Sequence, residues 1–269
     1  MSTKDFNEEK IIYPNRKDEI GVLSNEIQNM SAGLKSQIEE LEKFSADVSH
    51  ELKNPITSLQ SAMELIDKDS ITKEEKAILI KNVLNDLKRI NQLITDISKF
   101  TRLKAEIELE KNQFIDLNKF FDEIPSMFTN NSKQIEIFVK KNDKNLEVLG
   151  NKNKLVQVFI NLIENSISLS PKKSKILIEL DRIDEKTISF RFYDQGKGIA
   201  LKDSEKIFNR FYSDRQENIK NHSGLGLSIA REIISHMNGK ISLDKSNKIE
   251  YSGACFLIIL PVRHSSQLT

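Results

Sequence analysis

Cysteine is almost missing from this chain: 269 residues contain one, Cys255. No intrachain disulfide and no cysteine-built zinc site can form, which fits a reducing compartment. Long apolar runs are missing too. None approaches the ~20 residues needed to span a bilayer. The longest, Ala254 to Pro261, has the length of a strand, and no signal-peptide core follows Met1. As it stands the chain reads as soluble. An excess of either charge is absent, with 41 Lys+Arg against 40 Asp+Glu and a formal net charge of +1. That balance gives no case for nucleic-acid binding, which calls for a clearly basic face. Glycine is scarce, at 9 residues, where average usage of about 7% would give roughly 19. Four of them, Gly196, Gly198, Gly224 and Gly226, crowd into one stretch, so backbone freedom is concentrated there.

What is present suggests two domains of ordinary size. A hydrophobic content of 38% excludes wholesale disorder. From Lys17 onward apolar residues recur at steps of 3 or 4: Ile20, Leu23, Ile27, Met30, Leu34, Ile38, Leu41, Phe44, then Val48 to Ile66. So narrow and long a stripe predicts a helical seam of the coiled-coil or bundle kind, kinked or loosened at Pro55. Asp67 to Lys73 is a polar break in which Ser70 or Thr72 can cap a second helix, with Glu74 and Glu75 in its first turn. That helix continues the pattern through Val83, Leu87, Ile90, Ile94 and Ile97. One hairpin cannot bury both stripes; two hairpins paired as a four-helix dimer can. Beyond about residue 108 strand-like runs (135–141, 176–182, 187–193, 240–243, 255–260) alternate with helical ones (about 117–130, 152–168, 225–238). This texture predicts an α+β layer, a sheet covered on one face by helices.

Four constellations carry chemistry. In Phe44–Pro55, His50 lies off the seam marked by Val48 and Leu52, with Glu51 beside it and Asn54 one turn on. An exposed imidazole is largely neutral at pH 7 and can act as a nucleophile, and a neighbouring carboxylate can take its Nδ1 proton. In Asn161–Pro171, Asn161, Glu164 and Asn165 share a helix face and offer oxygens to a hard cation such as Mg²⁺. Taken alone, such a face is more often merely solvated. Asp194, Gly196 and Gly198 follow a strand: the carboxylate can accept from an adenine amino group, and the glycines let a flat base approach. Gly224, Leu225 and Gly226 precede a helix, a ready phosphate site. Between the last two lies an aromatic box, Ile207 to Tyr212, then a polar lid-like stretch to Asn221.

In order and spacing these motifs resemble the sensor histidine kinases over nearly the whole chain. FSADVSHELKNPITSLQSA, ENSISLSP and FYSDRQENIKNHSGLGLSIA resemble, more narrowly, the alphaproteobacterial ChvG/ExoS branch. Arg16 to Gly21 with Met30 resembles the end of a HAMP relay. The resemblance implies four segments: a partial HAMP linker at 1–34, a dimerisation and phosphotransfer hairpin at 35–106, an α/β-sandwich ATP-binding domain of the Bergerat (GHKL) type at 107–264, and a tail at 265–269. It implies a homodimer with ATP and Mg²⁺ as cofactors, and a response-regulator receiver domain as partner. It further implies a cytoplasmic domain of a bacterial inner-membrane protein, joined to the membrane through a missing N-terminal region.

By the same resemblance His50 is the phospho-acceptor, Glu51 its acid/base partner, and Asn54 positions water for dephosphorylating the regulator. Asn165 binds the metal, supported by Asn161 and Glu164. Asp194 recognises adenine, Gly196 and Gly198 shape the base pocket, and Gly224, Leu225 and Gly226 hold phosphates. Phe208 and Phe211 anchor the lid, and Arg215 is a lid cation in reach of the γ-phosphate. Two positions depart from the family pattern. Ser168 stands where many relatives have Lys; if it replaces a phosphate-contacting cation, a residue such as Arg215 or Lys220 must supply one, or nucleotide affinity is lower. His222 stands where a glycine is usual. His236 reads as a packing residue and His264 as part of a polar tail. Two other functions compete: an ATP-hydrolysing conformational machine of the same nucleotide fold, with Glu164 as base, and a signalling scaffold or phosphatase that no longer performs kinase chemistry.

Overall fold

A computed structural model describes residues 18–68, 71–109, 111–129, 131–143, 146–200, 203–212, 223–246 and 248–262. Two long helices come first, α1 (Glu19–Ile66) and α2 (Lys73–Leu109). Thr72 and Glu75 begin α2 as a capping box. The Glu75 amide donates to Thr72 Oγ1 at 3.2 Å, while the Thr72 amide and hydroxyl donate to Glu75 Oε2 at 2.9 and 2.8 Å. Those two bonds, the amide's first, hold the Glu75 carboxyl below its ordinary range. Pro55 does not end the helix: α1 runs through it without interruption. A proline removes one bond from the helical ladder, and here its ring is buried.

Two compact units meet between Glu51 and Leu52, inside α1. In the first, Ile20, Leu23, Ile27, Met30, Leu34, Ile38 and Leu41 all lie exposed. In the second, Ile56, Met63, Ile78, Leu87 and Ile94 do so. The single chain therefore leaves its helical stripe largely uncovered.

The rest of the second unit comprises β1 (Gln113–Asp116), α3 (Leu117–Glu123), β2 (Glu136–Lys141), β3 (Glu147–Gly150), α4 (Lys152–Leu169), β4 (Lys175–Asp184), β5 (Thr187–Tyr193), α5 (Gly226–His236), β6 (Lys240–Leu243) and β7 (Cys255–Pro261). Five strands form one sheet in the order β2-β4-β5-β7-β6, parallel between β2 and β4 and antiparallel elsewhere. β1 and β3 make a separate antiparallel pair. Neither was expected, because four half-exposed residues carry too short an alternation to read. The helix expected over 117–130 divides at Pro125, which opens a 3₁₀ turn, Pro125–Phe128.

Strand register explains the core. Ile178 and Leu180 pair with Phe192 and Phe190, which pair with Phe256 and Ile258, which pair with Leu243 and Ile241. Alternation puts all of these on one face. On that face Phe159 of α4 meets Phe120, Phe121 and Phe190 with ring centroids 5.5, 5.0 and 5.8 Å apart. Replacing Phe159 by Ala empties the centre of this cluster and is expected to cost about 3–5 kcal/mol, read as a lowered urea midpoint at unchanged slope.

The opposite face carries paired charges. Arg191 reaches Asp181 and Asp244 at 3.4 and 3.3 Å, and Glu179 accepts from Lys140 at 3.4 Å. Cys255 sits there buried with Tyr193 and Tyr251. Burial pushes its thiol up to about 11. An unfolded thiol ionises first, near 8.5, so this group's contribution to stability is complete below that pH and is lost as pH rises toward 11. Cys255 should resist iodoacetamide at pH 8 in the folded chain and react fully in urea, as followed by mass spectrometry.

Candidate functional site

Helix α4 is capped by Asn151, whose Oδ1 accepts from the Lys154 amide at 3.1 Å. Its apolar side, Leu155, Val158, Phe159, Leu162 and Ile163, is buried in the core. Its other side faces a cavity of about 490 Å³ lined by Gln157, Asn161, Glu164 and Asn165. The 197–200 loop, Gly224, and Gly226, Leu227 and Ile229 at the start of α5 complete the walls, together with Gln92, Asp96 and Lys99 of α2. Asn161 Nδ2 donates to the Gly226 carbonyl at 3.1 Å, tying the start of α5 to α4.

The structure thus brings Asn161, Glu164, Asn165, Gly198, Gly224 and Gly226 around one cavity. It does not put Leu225 there: that side chain is fully buried in the core, which leaves only its backbone for a phosphate. Nor are Asp194, Gly196 and Phe208 among the lining residues. Phe208 is buried against Phe256, at 6.4 Å between centroids, with the Arg231 guanidinium 5.3 Å from its ring.

Asp194 follows β5 and is 3% exposed. Its Oδ1 accepts from the Gly196 and Ala254 amides, both at 2.9 Å, and its Oδ2 from Ser166 Oγ at 2.9 Å. Burial raises its pKa, and the three hydrogen bonds offset only part of that shift. Gly253 makes the arrangement possible. A Cβ there would stand 2.0 Å from Asp194 Oδ1 and 2.4 Å from the Gly196 amide nitrogen. Sequence reasoning missed both Gly253 and Ser166. The available signal for the first was a rare glycine just before the last apolar run. Ser166 was hidden because it lies off the Asn161/Glu164/Asn165 face and turns inward.

Gly224 has φ +75° and Phe211 φ +60°, both in the left-handed region. The Phe211 amide donates to the Gly224 carbonyl at 3.1 Å, and a Cβ on Gly224 would lie 2.7 Å from the Phe211 carbonyl carbon. Next to this turn the Arg210 guanidinium lies 4.9 Å from the Phe100 ring centroid of α2, and Lys154 pairs with Glu106, whose carboxyl it lowers by hydrogen bond and charge. Arg215, Lys220, His222 and His264 lie outside the described residues. Ser168 lies near the C-terminal end of α4 and is not among the residues that line the cavity. Its hydroxyl donates to the Asn165 carbonyl at 2.7 Å, and Lys133 Nζ donates to the Ser168 and Ser170 carbonyls at 2.7 Å each, a cation at a helix C-terminus. Cations lining the cavity among the described residues are Lys99 and Lys197. His236 is exposed, 3.7 Å from Glu232.

On α1, His50 is exposed, Glu51 half-buried and Asn54 exposed. Among the described residues no three of His, Cys, Asp and Glu come together as a metal cluster. No helix among them is long and apolar enough to cross a membrane.

An exposed histidine on a long helix and a helix-walled cavity call for comparison with known proteins, and that comparison defines a class. Residues 40–106 match the His Kinase A (phospho-acceptor) domain, and residues 150–264 match the histidine kinase-, DNA gyrase B- and HSP90-like ATPase family. The chain belongs to the sensor histidine kinases. Within them it is of the ChvG branch: it is 36% identical to the sensor protein ChvG of Agrobacterium fabrum over 94% of this chain and 44% of that protein, and 36% identical to ChvG of Rhizobium meliloti over 93% and 45%. It therefore spans less than half the length of these relatives. A crystal structure of histidine kinase ThkA in complex with response regulator protein TrrA shares the fold, at 24% identity and TM-score 0.57, over 85% of this chain and 64% of that one.

Gly224→Ala is expected to disrupt the turn against Phe211 and to weaken nucleotide binding at least tenfold while leaving the far-UV circular dichroism unchanged. Isothermal titration with ATP checks it.

Proposed function

We propose that this chain is the catalytic core of a two-component sensor kinase: it takes the γ-phosphoryl group of ATP onto His50 and passes it to an aspartate of a response regulator. The observation that carries this is the presence in one chain of an exposed His50, inside the segment matching the phospho-acceptor domain, and of a cavity in the segment matching the ATPase family. Nε2 of neutral His50 attacks the γ-phosphorus in line. An N–P bond forms, the bridging P–O bond to ADP breaks, and Glu51 takes the Nδ1 proton. Catalysis of this kind is mainly positioning and charge stabilisation.

The cavity suits a nucleotide. Asn165 would hold Mg²⁺, with Asn161 and Glu164 supporting its water shell, and the ion would neutralise phosphate charge. The donor set fits, since Mg²⁺ characteristically takes few protein oxygens and completes its shell with phosphates and water. Asp194 would take the adenine amino group, the Gly196–Gly198 loop would flank the base, and the Gly224–Gly226 turn would meet the phosphates. Asn54 would orient the water that dephosphorylates the regulator. The uncovered stripes of α1 and α2 support a homodimer. On the same reading residues 1–34 end a HAMP linker, 35–106 form the phosphotransfer hairpin and 107–264 the ATP-binding domain, carried on the cytoplasmic side of a membrane receptor. The HAMP-like residues and the greater length of the ChvG relatives support this part.

Incubation with γ-labelled ATP is the test. Wild type should gain an acid-labile, base-stable label, lost completely in His50→Gln and reduced at least a hundredfold in Asn165→Ala. Acid-stable label overturns the proposal. So does ATP turnover that survives His50→Gln and is lost in Glu164→Gln, which would mark an ATP-driven conformational machine instead.

A further inference from the structure

Ser166 is the one buried hydroxyl on α4 aimed at Asp194. It is 1% exposed, and its Oγ stands 2.9 Å from Asp194 Oδ2. A serine in a helix commonly turns its hydroxyl back to the carbonyl four residues earlier; here it is committed to the carboxylate. An ionised carboxylate offers about four acceptor positions. Two on Oδ1 are taken by the Gly196 and Ala254 amides and one on Oδ2 by Ser166. Among the described residues one position is left without a donor, on Oδ2. Backbone holds Oδ1 from one side, and the absence of a Cβ on Gly253 lets it do so. Among the described residues only Ser166 donates to Oδ2, and this bond restrains the carboxylate plane from turning about its anchored oxygen.

We infer that Ser166 is a positioning residue for base recognition: its hydroxyl fixes Asp194 so that one acceptor position is presented to a donor at position 6 of a purine. The inference rests on the proposal that Asp194 reads adenine. Its chemistry makes the selected ligand a 6-aminopurine nucleotide. A base with nothing to donate at position 6 forfeits the bond, and a 6-oxo purine sets a carbonyl oxygen against the carboxylate. Burial sharpens both penalties, because Asp194 is 3% exposed and an unmet hydrogen bond costs more away from solvent. Without Ser166 the carboxylate keeps only the two bonds on Oδ1, its charged form is less well supported, and the fourth position loses its direction.

The experiment compares ATP with purine riboside 5′-triphosphate, which lacks the 6-amino group, by calorimetric titration of the full 269-residue chain. Wild type should prefer ATP by roughly tenfold or more. Ser166→Ala should bring that ratio close to one, chiefly by weakening ATP, and Ser166→Cys, a weaker donor of similar shape, should fall between. Asp194→Ala should abolish the preference, and adding Ser166→Ala to it should change the ratio no further. A preference lost in Asp194→Ala but kept in both Ser166 variants overturns this inference and leaves the reading of Asp194 intact. A wild type that does not distinguish the two nucleotides overturns both. Equal weakening of both nucleotides by Ser166→Ala reduces the residue to a structural role and likewise overturns the inference.

Discussion

Helix α4 has to satisfy two environments at once, and the catalytic-type domain is organised around that demand. One side of it must fit among Phe120, Phe121 and Phe190, which means Phe159 and its neighbours are locked in place by close packing. The other side must keep amide and carboxylate groups facing a cavity. A helix fixed rigidly by its apolar side holds its polar side just as rigidly, since both are carried on one backbone. Asn161 extends that rigidity to α5 through the Gly226 carbonyl. Ser166 extends it to the end of β5 through Asp194. The site is therefore positioned by the core, although few of its residues belong to the core.

The long hairpin poses the opposite problem. Its second helix starts with a capping box, yet the apolar stripes of both helices are largely exposed in the single chain. Exposed Leu, Ile and Met in so regular a row is unstable surface for a lone chain and good surface for a second copy. At its far end α2 does find partners, through Arg210 on Phe100 and Lys154 with Glu106. Gln92, Asp96 and Lys99 of the same helix wall the cavity. The second helix of the hairpin thus contributes to the cavity's own surface, something no single motif announces.

Much of the fold was legible from periodicity. Steps of 3 and 4 marked α1 and α2, and alternating runs marked the five strands of the main sheet, because burial of one face imposes a period. Thr72 with Glu75 was readable as a helix start from residue type alone. The small β1–β3 pair was not, since four-residue strands repeat nothing often enough. Pro125 broke a helix that composition had carried straight through, whereas Pro55 did not break one. The difference lies in what surrounds each proline, which sequence does not display.

In the site, sequence by itself determined the residue types whose chemistry is local: an imidazole beside a carboxylate at His50–Glu51, three polar side chains on one turn and a half of α4, and glycines where the backbone takes φ of +75° at Gly198 and Gly224. Tertiary structure alone decided which of these meet. It brought Gly226 against Asn161 and Gly224 against Phe211, sent Leu225 into the core, turned Ser168 onto its own helix end, and closed Ser166, Gly253 and Ala254 around Asp194. The reason is physical. A side chain's chemistry follows from its atoms, but burial and hydrogen-bond partners come from segments distant in sequence, and only the packed sheet and helices bring those within 3 Å.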